Sequence, residues 1–237
     1  MRNYILPLLL ATAPLYAGGD ASQVAAAKAD CAKGWTFGIE ALYLRPYQSE
    51  GGYDTSDYDL GGRISIGYNF SDCLFTRASY FGYTTDTATD EELFMSTIGL
   101  DIGQTFNPSD VLTLSPYVGL GYVNIEEDFD DTEFEGLGLV LGIDATRELV
   151  NNLSLYATAK QTIAFGSTDY LNRTSPRNST DNVAFVSQLG LGLQHDFTNI
   201  DANIRFGFEG QWWSGVSDDD SEDIGLAGLV LGANFRF

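Results

Sequence analysis

Ile224-Gly-Leu-Ala-Gly-Leu-Val-Leu-Gly-Ala-Asn-Phe-Arg-Phe237 closes the chain. Its odd positions (Ala227, Leu229, Leu231, Ala233, Phe235, Phe237) are apolar and finish on two aromatics. Its even positions (Gly228, Val230, Gly232, Asn234, Arg236) are mostly small or polar. A period of two sends successive side chains to opposite faces of an extended strand. A half-buried strand of a soluble sheet reads the same way in isolation. Repeated along a whole chain, a lipid-like face opposite a polar one predicts the wall of a transmembrane β-barrel.

The pattern does repeat, in nine further segments. Residues 35–44 set Trp35, Phe37, Ile39, Ala41 and Tyr43 against Thr36, Gly38 and Glu40. Residues 58–70 set Leu60, Ile64, Ile66 and Tyr68 against Gly61, Arg63, Ser65 and Gly67. Segments 73–83, 93–106, 111–125, 134–146, 153–165, 183–197 and 200–213 follow the same rule, with Arg77, Asp101, Asp144, Lys160, Arg205 and Glu209 on their polar faces. Pro116 interrupts the fifth segment, because proline cannot donate to a ladder. Short turns are expected at Ser71, at Asn107-Pro-Ser-Asp110, at Asn151-Asn152 and at Thr198. Long connections fall at 45–57, 84–92, 126–133, 166–182 and 214–223. Ten strands, with short turns on one side and long loops on the other, predict an all-β, antiparallel up-and-down barrel of the bacterial outer membrane. A sandwich needs neither this asymmetry nor strands this long.

The first 17 residues read as a cleaved secretory signal: Arg2, an apolar run from Tyr4 to Ala13, and a small-residue exit at Ala17. The apolar run is too short to span a bilayer as a helix. Residues 18–34 are expected to be an N-terminal periplasmic segment and residues 35–237 the barrel. The 237-residue chain carries a formal net charge of -21. An acidic balance of that size argues against nucleic acid as a partner, because phosphate contacts need clustered lysine and arginine. The two cysteines, Cys31 and Cys73, read either as a disulfide or as two free thiols. Strand order puts both at the periplasmic rim, where a disulfide would pin the N-terminal segment.

Four stretches carry a family resemblance: Trp35-Thr-Phe-Gly-Ile-Glu-Ala-Leu-Tyr-Leu-Arg45, Phe134-Glu-Gly-Leu-Gly-Leu-Val-Leu-Gly142, Gly207-Phe-Glu-Gly-Gln-Trp-Trp213, and Gly225-Leu-Ala-Gly-Leu-Val-Leu-Gly-Ala-Asn-Phe-Arg-Phe237. Together they resemble the Legionella-type pore-forming major outer-membrane proteins. The resemblance implies an abundant outer-membrane protein that forms pores. Likeness to outer-membrane barrels in general implies that Phe237 is read by the barrel-assembly machinery, a partner alongside outer-membrane lipid.

Nine charged positions are expected to face the lumen: Glu40, Arg63, Arg77, Asp101, Asp144, Lys160, Arg205, Glu209 and Arg236. The readings expected to form pairs are Glu40 with Arg63 across neighbouring strands, and Arg205 with Glu209 along one strand. Inward glycines such as Gly103, Gly138 and Gly207 are expected to widen the lumen. Two readings compete. The charges form an ion-selective constriction, or they form a paired polar filling, since eight strands leave room only for side chains and porins of about 16 to 18 hold a channel. The acidic runs 126–133 and 218–223 lack the order of a calcium loop. They are expected to gather diffuse divalent cations and to attract cations to the outer mouth. Trp35, Trp212, Trp213, Tyr122 and Phe237 are placed in interfacial girdles.

Enzymatic activity is not expected. The chain's one histidine, His195, falls beside the turn at Thr198, and no nucleophile elbow, metal-ligand cluster or phosphate loop occurs, so no cofactor is implied. The expected function is a narrow, cation-preferring pore for ions and small solutes. The alternative is a closed structural or adhesin-type barrel displaying acidic loops.

Overall fold

The computed structural model describes residues 32–48, 57–70, 72–86, 92–127, 132–170, 178–216 and 223–237. The expected signal segment, Cys31 and the centres of the five long connections lie outside those residues. The strands are β1 (Gly34–Gln48), β2 (Asp59–Asn69), β3 (Leu74–Asp86), β4 (Glu92–Gln104), β5 (Phe106–Ser109) and β6 (Leu112–Glu127). They continue with β7 (Thr132–Val150), β8 (Leu153–Tyr170), β9 (Asn178–Phe197), β10 (Ala202–Ser214) and β11 (Ile224–Arg236). Each pairs antiparallel with its chain neighbour. The sheet closes where β1 meets β11, from Thr36 opposite Arg236 to Gln48 opposite Ile224. Both β4 and β5 pair with β6, so they are two parts of one stave and the closed barrel has ten.

The break between β4 and β5 explains Pro116. The β4–β6 ladder ends at Gly103 opposite Tyr117, and β5 resumes at Phe106 opposite Leu114. The proline sits in that gap, where its missing N–H leaves no ladder bond unmade. The Thr105 and Ser115 hydroxyls bridge the gap at 3.0 Å. The turn expected at Asn107 is displaced as a result. Residues 106–109 extend the stave, and the chain reverses at Asp110 and Val111.

The turns at Asn151-Asn152 and Thr198 stand where expected, and the chain bends at Asp72 and Cys73 beside the turn expected at Ser71, a residue outside those described. Among the described residues, those other than glycine with positive φ are Cys73, Asn151, Asn152 and Asp201, all at these turns. At Asn151-Asn152 the φ values of 39° and 66° suit a two-residue hairpin that follows the strand twist. Short turns of outer-membrane barrels face the periplasm, which fixes the turn end as periplasmic. At the loop end, β8 and β9 continue past their expected limits and pair out to Tyr170 opposite Asn178. There the hydrophobic alternation gives way to Ser167, Thr168, Thr180 and Asp181, because a wall beyond the bilayer needs no lipid face.

The alternation sorts the side chains as read. Trp35, Phe37, Leu60, Ile64, Leu100, Leu120, Leu139, Leu191, Phe206 and Leu231 point outward and stay exposed, forming the lipid belt. Ring contacts Trp35–Tyr68 (5.2 Å) and Tyr68–Phe70 (4.9 Å) build a girdle at the turn end. Trp213 does not join a girdle. It is 0% exposed and points inward, in step with Glu209 and Gln211 on the same face of β10.

At Gly142 and Gly207 the inward glycines do not widen the lumen. The Tyr117 ring lies across Gly142, and the Tyr156 hydroxyl rests on Gly207, so aromatic rings occupy the space a side chain would take. At Gly138 a β-carbon would collide with the carbonyl of Ile163 on the neighbouring strand, so this glycine permits close strand approach.

Candidate functional site

The interior is divided along the barrel axis. Towards the turn end it is polar. All nine charged positions read from the alternation line one cavity of about 570 Å³ that takes in Asp196 and reaches the periplasmic turns at Thr198 and Asp201. Towards the loop end the same inward faces become apolar. Leu42, Leu44, Phe81, Tyr83, Met95, Val123, Ile125, Phe134, Val186, Trp213 and Leu226 pack into one buried cluster inside the barrel. Phe81 and Trp213, 6.3 Å apart, form its floor over the charges. The space left between Phe81, Lys160, Gln211 and Trp213 is about 10 Å³, at the lower limit of what one water needs. The structure is a periplasmic vestibule beneath an apolar layer.

Two charge networks hold the boundary. In the first, Arg63 donates from Nη1 to Glu40 Oε2 (2.6 Å), and to Glu209 from Nη1 (3.0 Å) and Nη2 (2.7 Å). Arg63 lies opposite Glu40 in the β1–β2 register, as expected. Glu209, 2% exposed, also accepts from Gln188 (3.1 Å) and Gln211 (2.7 Å). Gln211 in turn accepts from the Trp213 indole at 3.0 Å, tying the charges to the apolar layer. Such a fully bonded pair holds its geometry better than an exposed one.

In the second network Arg77 reaches Asp101 Oδ2 at 3.2 Å and Asp144 Oδ2 at 3.0 Å, with its guanidinium 4.5 Å from the centre of the Tyr117 ring. The expected Arg205–Glu209 pair does not form. Four strand residues separate them by about 13 Å, and Glu209 is taken by Arg63. Arg205 donates instead to Gln194 at 2.9 Å and lies over the Tyr156 ring at 5.3 Å. Among the described residues, Lys160 makes no ion pair. With Asp196, Asp201 and Arg236 at its turn end, the cavity wall carries five cations (Arg63, Arg77, Lys160, Arg205, Arg236) and six anions (Glu40, Asp101, Asp144, Asp196, Asp201, Glu209), so its charges nearly balance.

Cys73 is disulfide-bonded at the start of β3, and Cys31 lies outside the described residues. Phe237 pairs with Trp35 through two main-chain bonds of 2.9 and 3.0 Å, while its ring is 78% exposed. His195 points outward from β9 and packs edge-on against Phe197 at 4.8 Å. The acidic runs are only partly described. Glu126 accepts from Asn124 at 2.8 Å. Burial raises the pKa of Asp223, which precedes β11, against a lowering hydrogen bond from Trp212. Sequence reading missed the apolar layer and the glutamines Gln188 and Gln211. Their signal was present, since both share the inward parity of Lys160 and Glu209.

Among solved structures, the outer-membrane protease OmpT from Escherichia coli superposes with a TM-score of 0.57 at 8% identity, covering 92% of this chain and 100% of OmpT. The neisserial surface protein NspA gives 0.46 at 13% identity, covering 86% and 97%. A major outer membrane protein from Thermus thermophilus gives 0.43 at 17%, covering 87% and 100%. These identities speak to fold alone. Among curated proteins, none matches the chain. The family described as Legionella pneumophila major outer membrane protein precursor matches residues 29–237, and the chain belongs to it.

Proposed function

We propose that this protein is a narrow, gated pore of the bacterial outer membrane, reached after export through a cleaved signal at residues 1–17. Ions and small solutes pass by diffusion. The observation that carries this reading is the polar vestibule of about 570 Å³, open at the turn end and lined by eleven charged side chains. A barrel that served only as a wall would not need so many charges inside it, since filling with apolar side chains avoids their desolvation cost. The apolar layer at Phe81 and Trp213 is the gate, acting by excluding water from a hydrophobic constriction. Preference for cations arises at the acidic outer mouth, in keeping with the net charge of -21, because the five cations and six anions of the vestibule nearly cancel. No catalytic role is assigned: His195 faces outward, away from the lumen carboxylates.

The same apolar layer favours a second reading, a permanently closed barrel that displays its acidic loops. Planar-bilayer recording under a salt gradient separates the two. The pore reading predicts discrete current steps with a cation-selective reversal potential, rare in the wild type and frequent in Trp213→Ala. Silence from both proteins, shown to be folded and inserted, sinks the pore and leaves the closed barrel.

A further inference from the structure

The geometry points to a binding site for a small zwitterion, of amino-acid size, between Lys160 and Asp101 on the floor formed by Gly99. Asp101 is 2% exposed, and only one of its oxygens is used. Oδ2 takes Arg77, while the buried Oδ1 has no hydrogen-bond partner among the described residues. On the same floor, a methyl group placed on Gly99 would lie 3.8 Å from that oxygen, 3.7 Å from Lys160 Nζ and 2.9 Å from Ser79 Oγ. An acceptor lacking a donor, an ammonium lacking an ion pair and a hydroxyl therefore converge on one point. Lys160 and Asp101 are too far apart to form an ion pair directly, yet no further apart than the sum of those two distances. Ser79, Asp101 and Lys160 all line the vestibule, which a solute enters from the periplasmic end.

The charge pattern selects the ligand class. A simple anion at Lys160 would face Asp101 and Glu209. A simple cation at Asp101 would face Lys160 and Arg77. Each gains one partner and meets two like charges, which disfavours both. A molecule with an ammonium and a carboxylate satisfies both orphan groups at once, adds no net charge to the vestibule, and leaves the Arg77 and Arg63 pairs intact. The glycine is what makes room: any side chain at position 99 occupies the convergence point itself.

The site goes beyond the pore reading and does not depend on it, because binding is measured without current. Isothermal titration of the folded protein in detergent, with glycine and L-alanine as probes, should give saturable heat. Acetate or methylammonium at the same concentrations should give none. Lys160→Met and Gly99→Ala should each weaken zwitterion binding at least tenfold. Gly99→Ala guards against misfolding, since its methyl meets no backbone atom. Absence of saturable heat with the zwitterions overturns the inference. So does an equal response to acetate, which would mean a plain anion site at Lys160, or unchanged binding in Gly99→Ala. Binding by a barrel that never conducts would leave this site standing and the pore reading refuted.

Discussion

Removing the carboxylate of Glu209 should cost the barrel more stability than any other single change in its lumen. Glu209 accepts four hydrogen bonds, two from Arg63 at 2.7 and 3.0 Å, one from Gln188 and one from Gln211. In Glu209→Met the volume is nearly kept, but Arg63 retains only Glu40. Breaking a buried pair and stranding one partner costs about 3 to 5 kcal/mol. Arg63 keeps its 2.6 Å bond to Glu40 and is partly open to the vestibule, so the lower end applies, about 3 kcal/mol. At 1.4 kcal/mol per tenfold, that is a shift of roughly a hundredfold in the unfolding equilibrium. The triple variant Glu40→Gln/Arg63→Met/Glu209→Met removes all three charges of the network and should be more stable than Glu209→Met alone, because no unpaired charge stays buried. Urea titration of the barrel folded in detergent, followed by the gel mobility difference between folded and unfolded forms, measures both. A loss within about 0.5 kcal/mol for Glu209→Met, or a triple variant whose loss equals the sum of the singles, would refute the network as a stabilising unit.

Arg205→Gln should lose only about 1.5 kcal/mol in the same titration, since Arg205 holds one charge-assisted hydrogen bond to a neutral amide and one ring contact; a loss matching that of Glu209→Met contradicts the assignment of pairs. Asn152→Val should cost about 1 to 2 kcal/mol because of the positive φ of 66°, and Asn152→Gly should be close to neutral. Phe237→Ala should leave stability in detergent within about 0.5 kcal/mol, because the ring is exposed. It should reduce the amount of folded barrel recovered from outer membranes severalfold, and equal recovery would remove Phe237 as an assembly signal.

The wall of this barrel was legible because the bilayer imposes a period-2 rule on every stave. In Trp35–Tyr43 and Tyr58–Phe70 each outward residue is apolar, and charged residues such as Glu40 and Arg63 can only face in. Antiparallel hairpins between chain neighbours then fix the register, so Glu40 meets Arg63 without further information. What lay beyond the rule was hidden. At the loop end both faces of a strand are apolar, as in Leu42-Tyr43-Leu44 and in the run from Val183 to Val186. A stretch buried on both faces loses its alternation and reads as a fading strand rather than a lumen filling. Trp213 was assigned to a girdle from its place at a strand end, although its parity with Glu209 and Gln211 put it inside. The Arg205–Glu209 pairing failed on distance, since residues four apart on a strand share a face but do not touch. Pro116 signalled an irregularity whose form, a stave split between β4 and β5, only the neighbouring ladder reveals.

The central claim is that the interior is open to the periplasm and closed to the outside. Single cysteines at Thr158, in the vestibule, and at Val123, in the apolar layer, would be exposed to a membrane-impermeant maleimide added to one side of oriented proteoliposomes. The account predicts that Thr158→Cys reacts readily from the periplasmic side and not from the outer side over the same interval, while Val123→Cys reacts from neither. Labelling of Thr158→Cys from the outside as fast as from the periplasm would mean a continuous lumen and contradict it.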